Sequence, residues 1–181
     1  MLREHACGLA SASTIAHNNS LGIGRQQDWS CHALEHELSY KYDVAHGAGL
    51  AVVTLGWMKW INARKPQKLA QFAARVLDVD PRYDDPARMG AAGIQRLSDF
   101  FERIGMPLTF EALGCNPLDI PELSRTVKRR PDGLLGFYCP MGDQDIIERP
   151  NALRVGTLAL VSKAGQVRKQ IWINLNRMGK N

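Results

Sequence analysis

The sequence predicts an all-α protein: a bundle of about six helices over residues 1–148, followed by a tail of different character. Three observations carry this. Apolar residues recur at helical rather than alternating spacing along most of 1–148. Pro66, Pro86 and Pro121 stand where helices would open, and Gly105-Met-Pro107 where one would stop. Strand–helix alternation is missing, and so is the glycine-rich turn between a strand and a helix that cradles a dinucleotide. Leu21-Gly-Ile-Gly24 has two glycines but no strand before it.

The elements follow in order. Residues 4–18 form a first helix, and Asn18 to Gly24 is turn chemistry. Asp28 or Ser30 reads as the N-cap of a helix running to about Tyr42, with Leu34 and Leu38 on its buried side. Asp43 to Gly47 interrupts it. Ala48 to Ala63 is apolar nearly all round, which marks a helix buried in the centre of the domain. Pro66 opens a helix carrying Leu69, Phe72, Ala73, Val76 and Leu77, and Asp78 to Asp85 is a polar loop. Pro86 opens a long amphipathic helix to about Ile104, with Met89, Ile94, Leu97 and Phe101 among its inward residues. A short connection at Phe110 to Gly114, a helix from Ile120 to about Lys128, a turn at Arg130 to Gly133 and a short helix from Asp143 to Glu148 complete the domain.

At 181 residues the chain suffices for one domain with a real core, and its 45% hydrophobic content is that of a globular sequence. No apolar run nears the roughly 18–20 residues that cross a bilayer, and the N-terminus lacks the apolar stretch of a secretion signal. No membrane partner is expected. Cys7, Cys31, Cys115 and Cys139 show no C-x-x-C spacing and read as reduced thiols of a cytoplasmic protein.

The net charge of +5 invites a nucleic-acid reading, but its distribution argues against one. From Arg149 onward there are seven basic residues and no acidic one, which leaves 16 basic and 18 acidic residues in 1–148. A phosphate-binding face needs clustered charge on a folded surface, so no nucleic-acid partner is expected. Val155 to Val161 and Val167 to Leu175 are β-rich. Residues 149–181 therefore read as an unrelated basic tail.

The chemistry gathers in Asp28-Trp-Ser-Cys-His-Ala-Leu-Glu-His-Glu-Leu-Ser-Tyr-Lys-Tyr-Asp-Val-Ala-His-Gly47. His32 and His36 are four apart, which stacks both imidazoles on one helix face. His46 follows a break, so a chain reversal could return it to the same point. Three imidazoles suit zinc, iron and other first-row divalent ions. Two solvated helix histidines and a helix cap would give the same letters. His32-Ala-Leu-Glu35-His36 also matches the H-x-x-E-H pattern of inverted zinc peptidases, in which the glutamate is the general base. On that reading Glu35→Gln abolishes hydrolysis; on a dehydrogenase reading it leaves metal binding nearly unchanged. Glu35 or Glu37 could orient an imidazole through its second nitrogen, with solvated charge as the simpler role for each. Cys31 reads as a buried structural thiol, and Trp29, Trp57 and Trp60 as core.

The wider run resembles the iron-containing alcohol dehydrogenases, in their bacterial butanol dehydrogenase-like branch. The resemblance rests on Asp28-Trp-Ser-Cys-His32, Glu35-His-Glu-Leu-Ser39, Tyr42-Asp-Val-Ala-His46-Gly and Gly49-Leu-Ala-Val, with looser matches at Trp57-Met, Phe72-Ala-Ala-Arg-Val, Gly105-Met-Pro and Leu135-Gly-Phe-Tyr. It implies an all-helical metal-binding domain that works with an N-terminal α/β domain binding NAD(P). It implies that His32 and His46 hold a divalent ion, iron or zinc, and that His36 lies beside the nicotinamide as the catalytic and cofactor-binding histidine. It implies a small alcohol or aldehyde substrate and a homodimer in the complete enzyme. An aspartate and a further histidine from an earlier helix would complete the metal site. Neither His5 nor His17 has an aspartate four residues before it, so no segment here is expected to supply them. The isolated chain is therefore expected to be inactive alone, and a non-catalytic helical remnant is the further alternative.

Overall fold

The structure is a computed structural model that describes residues 2–81 and 84–147. Its regular elements are helices: α1 (Leu2–His17), α2 (Ser30–Tyr42), α3 (His46–Asn62), α4 (Gln67–Val76), α5 (Pro86–Arg103), α6 (Ile120–Thr126) and α7 (Asp143–Ile147), with 3-10 turns at Ser20–Gly22 and Pro117–Asp119. No strand occurs among the described residues; a single antiparallel bridge pairs Leu135 with Met141. The all-α reading holds. The β-rich reading of the tail lies outside the described residues.

α3 is the axis of the domain, as its nearly all-round apolar surface demands. One end gives Val52 and Val53 to a core with Leu38, Phe110, Ile120 and Leu123. The other gives Leu55, Met58, Trp60 and Ile61 to a core with Leu69, Ile94, Val127 and Met141. Val52 and Ile61 are fully buried. α4 and α5 pack closely where Gly93 faces Ala73: a Cβ on Gly93 would lie 2.5 Å from the Ala73 Cβ. That approach is open to glycine alone among the residues. Arg96 of α5 donates to the carbonyls of Leu77 and Asp78 and so closes the C-terminus of α4. Asp85 caps α5 by accepting from the Arg88 N–H at 2.9 Å, with Pro86 in the first turn.

Two helix starts differ from expectation. α2 opens at Ser30 with Trp29 in the cap position and no side-chain cap bond. Asp28 instead accepts from the Ser30 N–H at 2.9 Å, and also from the backbone N–H groups of Phe137 and Tyr138, each at 2.9 Å. One carboxyl group thus ties the start of α2 to a loop more than a hundred residues later, a long-range role that local cap rules do not anticipate. α3 opens at His46 rather than Ala48. The interruption is shorter than the sequence suggests because Asp43 alone reverses the chain, in the left-handed region at φ 52°.

The tryptophans divide. Trp60 is buried and Trp57 packs against the core. Trp29 does neither: it is 39% exposed and meets the histidine cluster with tilted and edge contacts instead. Cys31 is half-buried at the edge of the core, and the four cysteines are unbridged. No helix among the described residues is long and apolar enough to cross a membrane.

Candidate metal centre

α2 presents His32 and His36 one turn apart, and the tight turn at Asp43 brings His46, the first residue of α3, back beside them. The His32 and His46 ring centroids are 5.4 Å apart, His36 and His46 5.5 Å, and His32 and His36 6.3 Å. The three imidazoles that the sequence singled out therefore share one locus. Ring distances alone do not separate His32 from His36, since each lies equally near His46.

Behind His46 sits Glu35. It is completely buried, and its two oxygens are both engaged: one with the Ser39 hydroxyl, the other with His46 Nδ1. A carboxylate oxygen there accepts a hydrogen bond from an Nδ1–H, so Nε2 is the ring nitrogen that Glu35 does not use. Glu35, His36 and His46 present ligand-type atoms all within 4.8 Å of one another. With its oxygens turned to Ser39 and His46, Glu35 acts as the support of an imidazole.

Room for Glu35 comes from Gly49, one turn into α3. A Cβ at that position would stand 2.5 Å from Glu35 Oε1 and 2.8 Å from its Cγ. The Glu-x-x-x-Ser spacing, the histidine after the turn and the glycine three residues later are thus one packing unit. Solvated charge, the simpler expectation for Glu35, is overturned by its burial. Glu35→Gln would change the group that meets His46 Nδ1. The peptidase reading loses its base for the same reason: a fully buried carboxyl bonded on both oxygens is not placed to activate water. Glu37 is half-buried and accepts from the Thr126 hydroxyl of α6, so it serves helix packing.

The imidazoles open onto a cleft of about 480 Å³, a size suited to a small ligand. Trp29 and Phe137 supply apolar walls, and Lys128 and Arg130 stand on the rim. The Phe137 wall is set by Asp28 through the loop N–H groups described above. It is also set by Gly136, at φ +82°, where a Cβ would collide with the Ser30 hydroxyl. Burial alone would raise the Asp28 carboxyl, but the Ser30 hydroxyl and the backbone N–H groups of Tyr138, Phe137 and Ser30 outweigh it and hold the group below 3.8. Partial burial pushes His32 below its ordinary 6.5, helped by the like charges of His46, His17 and His36 and opposed by Glu35. His32 is thus biased toward the neutral, lone-pair-bearing ring. A second cavity, between Leu34, Leu38, Val53 and Phe110, is about 40 Å³ of mostly apolar packing space, with Ser124 as its one polar lining residue.

Two residues were missed. Trp29 forms an edge contact with His32 at 4.8 Å between centroids, and His17, at the end of α1, lies 5.8 Å from His32 and 5.5 Å from Trp29. His17 has Ser13, not an aspartate, four residues before it. No local spacing signals it, because a 12-residue connection separates α1 from α2.

Comparison with known proteins identifies the family. Residues 3–148 match the family described as Fe-containing alcohol dehydrogenase family, C-terminal. The chain is 30% identical over 146 residues to the NADH-dependent butanol dehydrogenase A of Clostridium acetobutylicum, covering 80% of this chain and 37% of that protein. It is 34% identical over 125 residues to an NADPH-dependent aldehyde reductase of Escherichia coli, covering 69% and 32%. The crystal structure of an NADH-dependent butanol dehydrogenase A from Thermotoga maritima superposes with a TM-score of 0.72 at 29% identity, covering 80% of this chain and 38% of that one. The chain thus spans about a third of the length of these relatives. It belongs to the iron-containing alcohol dehydrogenase family and matches the C-terminal, helical part of it.

Proposed function

We propose that residues 1–148 are the metal-binding helical domain of an NAD(P)-linked alcohol dehydrogenase that oxidises short-chain alcohols or reduces the matching aldehydes. The observation that carries this is the convergence of His32, His36 and His46, with the Glu35 carboxyl behind His46 Nδ1. The relatives, butanol dehydrogenases and an aldehyde reductase by name, supply the substrate class.

The donor set fits a divalent ion. Neutral imidazoles suit iron and zinc, and a supporting carboxyl on the far nitrogen is the usual companion of a ligating histidine. In this reading His32 and His46 are the ligands. When bound, such an ion polarises a carbonyl or lowers the pKa of an alcohol, and the nicotinamide carries the hydride. His36, exposed at the cleft, moves the proton between the substrate oxygen and solvent. Trp29 and Phe137 exclude water from one side of a short alkyl chain. Nucleotide binding falls in the part of the relatives' length that this chain does not match. The 181 residues by themselves are therefore inactive; 149–181 are a basic tail unrelated in sequence to the domain, and the complete enzyme is a cytoplasmic homodimer.

The test is metal content. Purified chain should carry or take up close to one iron or zinc, and His32→Ala or His46→Ala should lose it. A chain that binds no ion, or whose binding ignores both substitutions, would refute the reading. Reduction of butyraldehyde by the 181 residues alone, with either nicotinamide, would refute the inactivity.

A further inference from the structure

Two imidazoles that share an ion must have their ring centres a set distance apart and their nitrogens within reach of one point. With Zn–N about 2.0–2.1 Å and the ring centre roughly 1.1 Å behind the nitrogen, two imidazoles on a tetrahedral ion have centroids about 5–5.5 Å apart. His32–His46 at 5.4 Å and His36–His46 at 5.5 Å both meet this. Ring spacing therefore leaves His46 with two companions on α2.

The ligand atoms choose between them. A nitrogen of His36, a nitrogen of His46 and an oxygen of Glu35 all lie within 4.8 Å of one another. Among the described residues no other three histidine, cysteine, aspartate or glutamate side chains bring ligand atoms that close, and His32 is not one of the three. His36 and His46 are both exposed, so an ion reaches them directly from solvent and keeps water in its remaining positions. Glu35 is the buried member. Its carboxyl group meets His46 Nδ1, which fixes that ring and sets an acidic group within the same reach. Both histidines stand on regular elements, His36 in the middle of α2 and His46 at the first residue of α3, so the backbone holds the pair together.

We propose that His36 is a metal ligand of this chain, holding a divalent cation together with His46. This rests on the metal-centre reading above and adds to it a donor to which that reading gives only proton transfer. The two roles exclude each other. A neutral imidazole has one nitrogen with a free lone pair, and the nitrogen that binds an ion cannot also take up a proton. An ion seated on His36 and His46 therefore withdraws His36 from moving protons for as long as it stays there.

The probe is Co²⁺, followed by its visible absorption, and Zn²⁺ in competition, titrated into the 181-residue chain. His36→Ala should weaken affinity at least about tenfold, the scale on which even outer-shell partners of a metal act. Tyr40→Ala, one turn further along α2 at a side chain that is 91% exposed, is the control and should bind like the parent. In unsubstituted protein, one equivalent of Zn²⁺ should move the imidazole ¹⁵N resonances of His36 together with those of His46. If His36→Ala binds like the parent while His32→Ala and His46→Ala do not, or if the His36 ring resonances stay still, the inference is overturned and the reading with His32 and His46 survives. If His36→Ala and His46→Ala weaken binding and His32→Ala does not, the inference stands and His32 is no ligand. If no histidine substitution alters binding, both fall. Circular dichroism checks the fold of each variant, and the ¹⁵N measurement decides the matter without any substitution.

Discussion

Gly49→Ala adds one methyl group to α3 and should disturb the metal centre without touching any of its histidines. The new Cβ would sit 2.5 Å from Glu35 Oε1, 2.8 Å from Cγ and 3.0 Å from Cδ, where ordinary contact begins near 3.4 Å. The carboxyl group must withdraw by about 0.9 Å, but it is fully buried and held by Ser39 and His46. Overpacking of this kind costs about 1–3 kcal/mol, and the better helix propensity of alanine returns about 0.5–1 kcal/mol. The net is a loss of up to about 2.5 kcal/mol, or up to roughly 10 °C in Tm for a chain of this size. Because the withdrawal pulls Glu35 from His46 Nδ1, metal affinity should fall about 10–100-fold as well. Gly47→Ala is the matched control: it lies two residues earlier in the same helix, with nothing within 4 Å of its Cβ position. It should be neutral or stabilising by up to about 1 kcal/mol. Thermal melts and Zn²⁺ titrations of both variants suffice. A Gly49→Ala protein as stable as Gly47→Ala, with unchanged affinity, would refute the packing unit of Gly49, Glu35 and His46.

Other predictions address the frame around the site. Gly93→Ala should separate α4 from α5 and cost about 1–3 kcal/mol in urea unfolding, because its Cβ would lie 2.5 Å from the Ala73 Cβ and 3.1 Å from the Ala73 backbone. Asp28→Ala strips the acceptor from the N–H groups of Ser30, Phe137 and Tyr138 and should cost about 2–3 kcal/mol, with loosening of the Phe137 wall visible as faster amide exchange. The Asp28 carboxyl is held below 3.8, so its stabilisation is present above that pH and is lost as pH falls through the folded value; Asp28→Asn should remove that acid limb of the stability profile. His32 is shifted the opposite way for a base: its folded pKa lies below 6.5. Between those two values the unfolded chain binds more protons, so metal-free protein should keep full stability above about pH 6.5 and lose it as pH falls through the window. His32→Gln should flatten that loss, and an unchanged slope would contradict the assignment.

Much of the fold was legible because helix-forming signals are local. Prolines at helix starts, the glycine-proline stop after α5 and the apolar surface of α3 all act within one or two turns, and each element landed within a few residues. The histidine convergence was legible for a similar reason. His32 and His36 share a helix face by periodicity, and His46 is one tight turn away. What escaped depended on distant chain. Asp28 works on Phe137 and Tyr138, His17 reaches the site across a connection without regular spacing, and Trp29 looks like a core residue until the neighbouring imidazoles are in view. Glu35 was half legible. Its position beside His36 suggested a supporting role, but choosing that role over solvated charge required seeing Gly49 leave space for it.

X-ray absorption at the zinc edge on the loaded 181-residue chain tests the central claim most directly, because imidazole rings give a recognisable outer-shell signature that counts them. The account predicts a site dominated by imidazole nitrogen near 2.0–2.1 Å, with one ring lost in His32→Ala and one in His46→Ala. A shell of water and carboxylate oxygens, unchanged by either substitution, would contradict it.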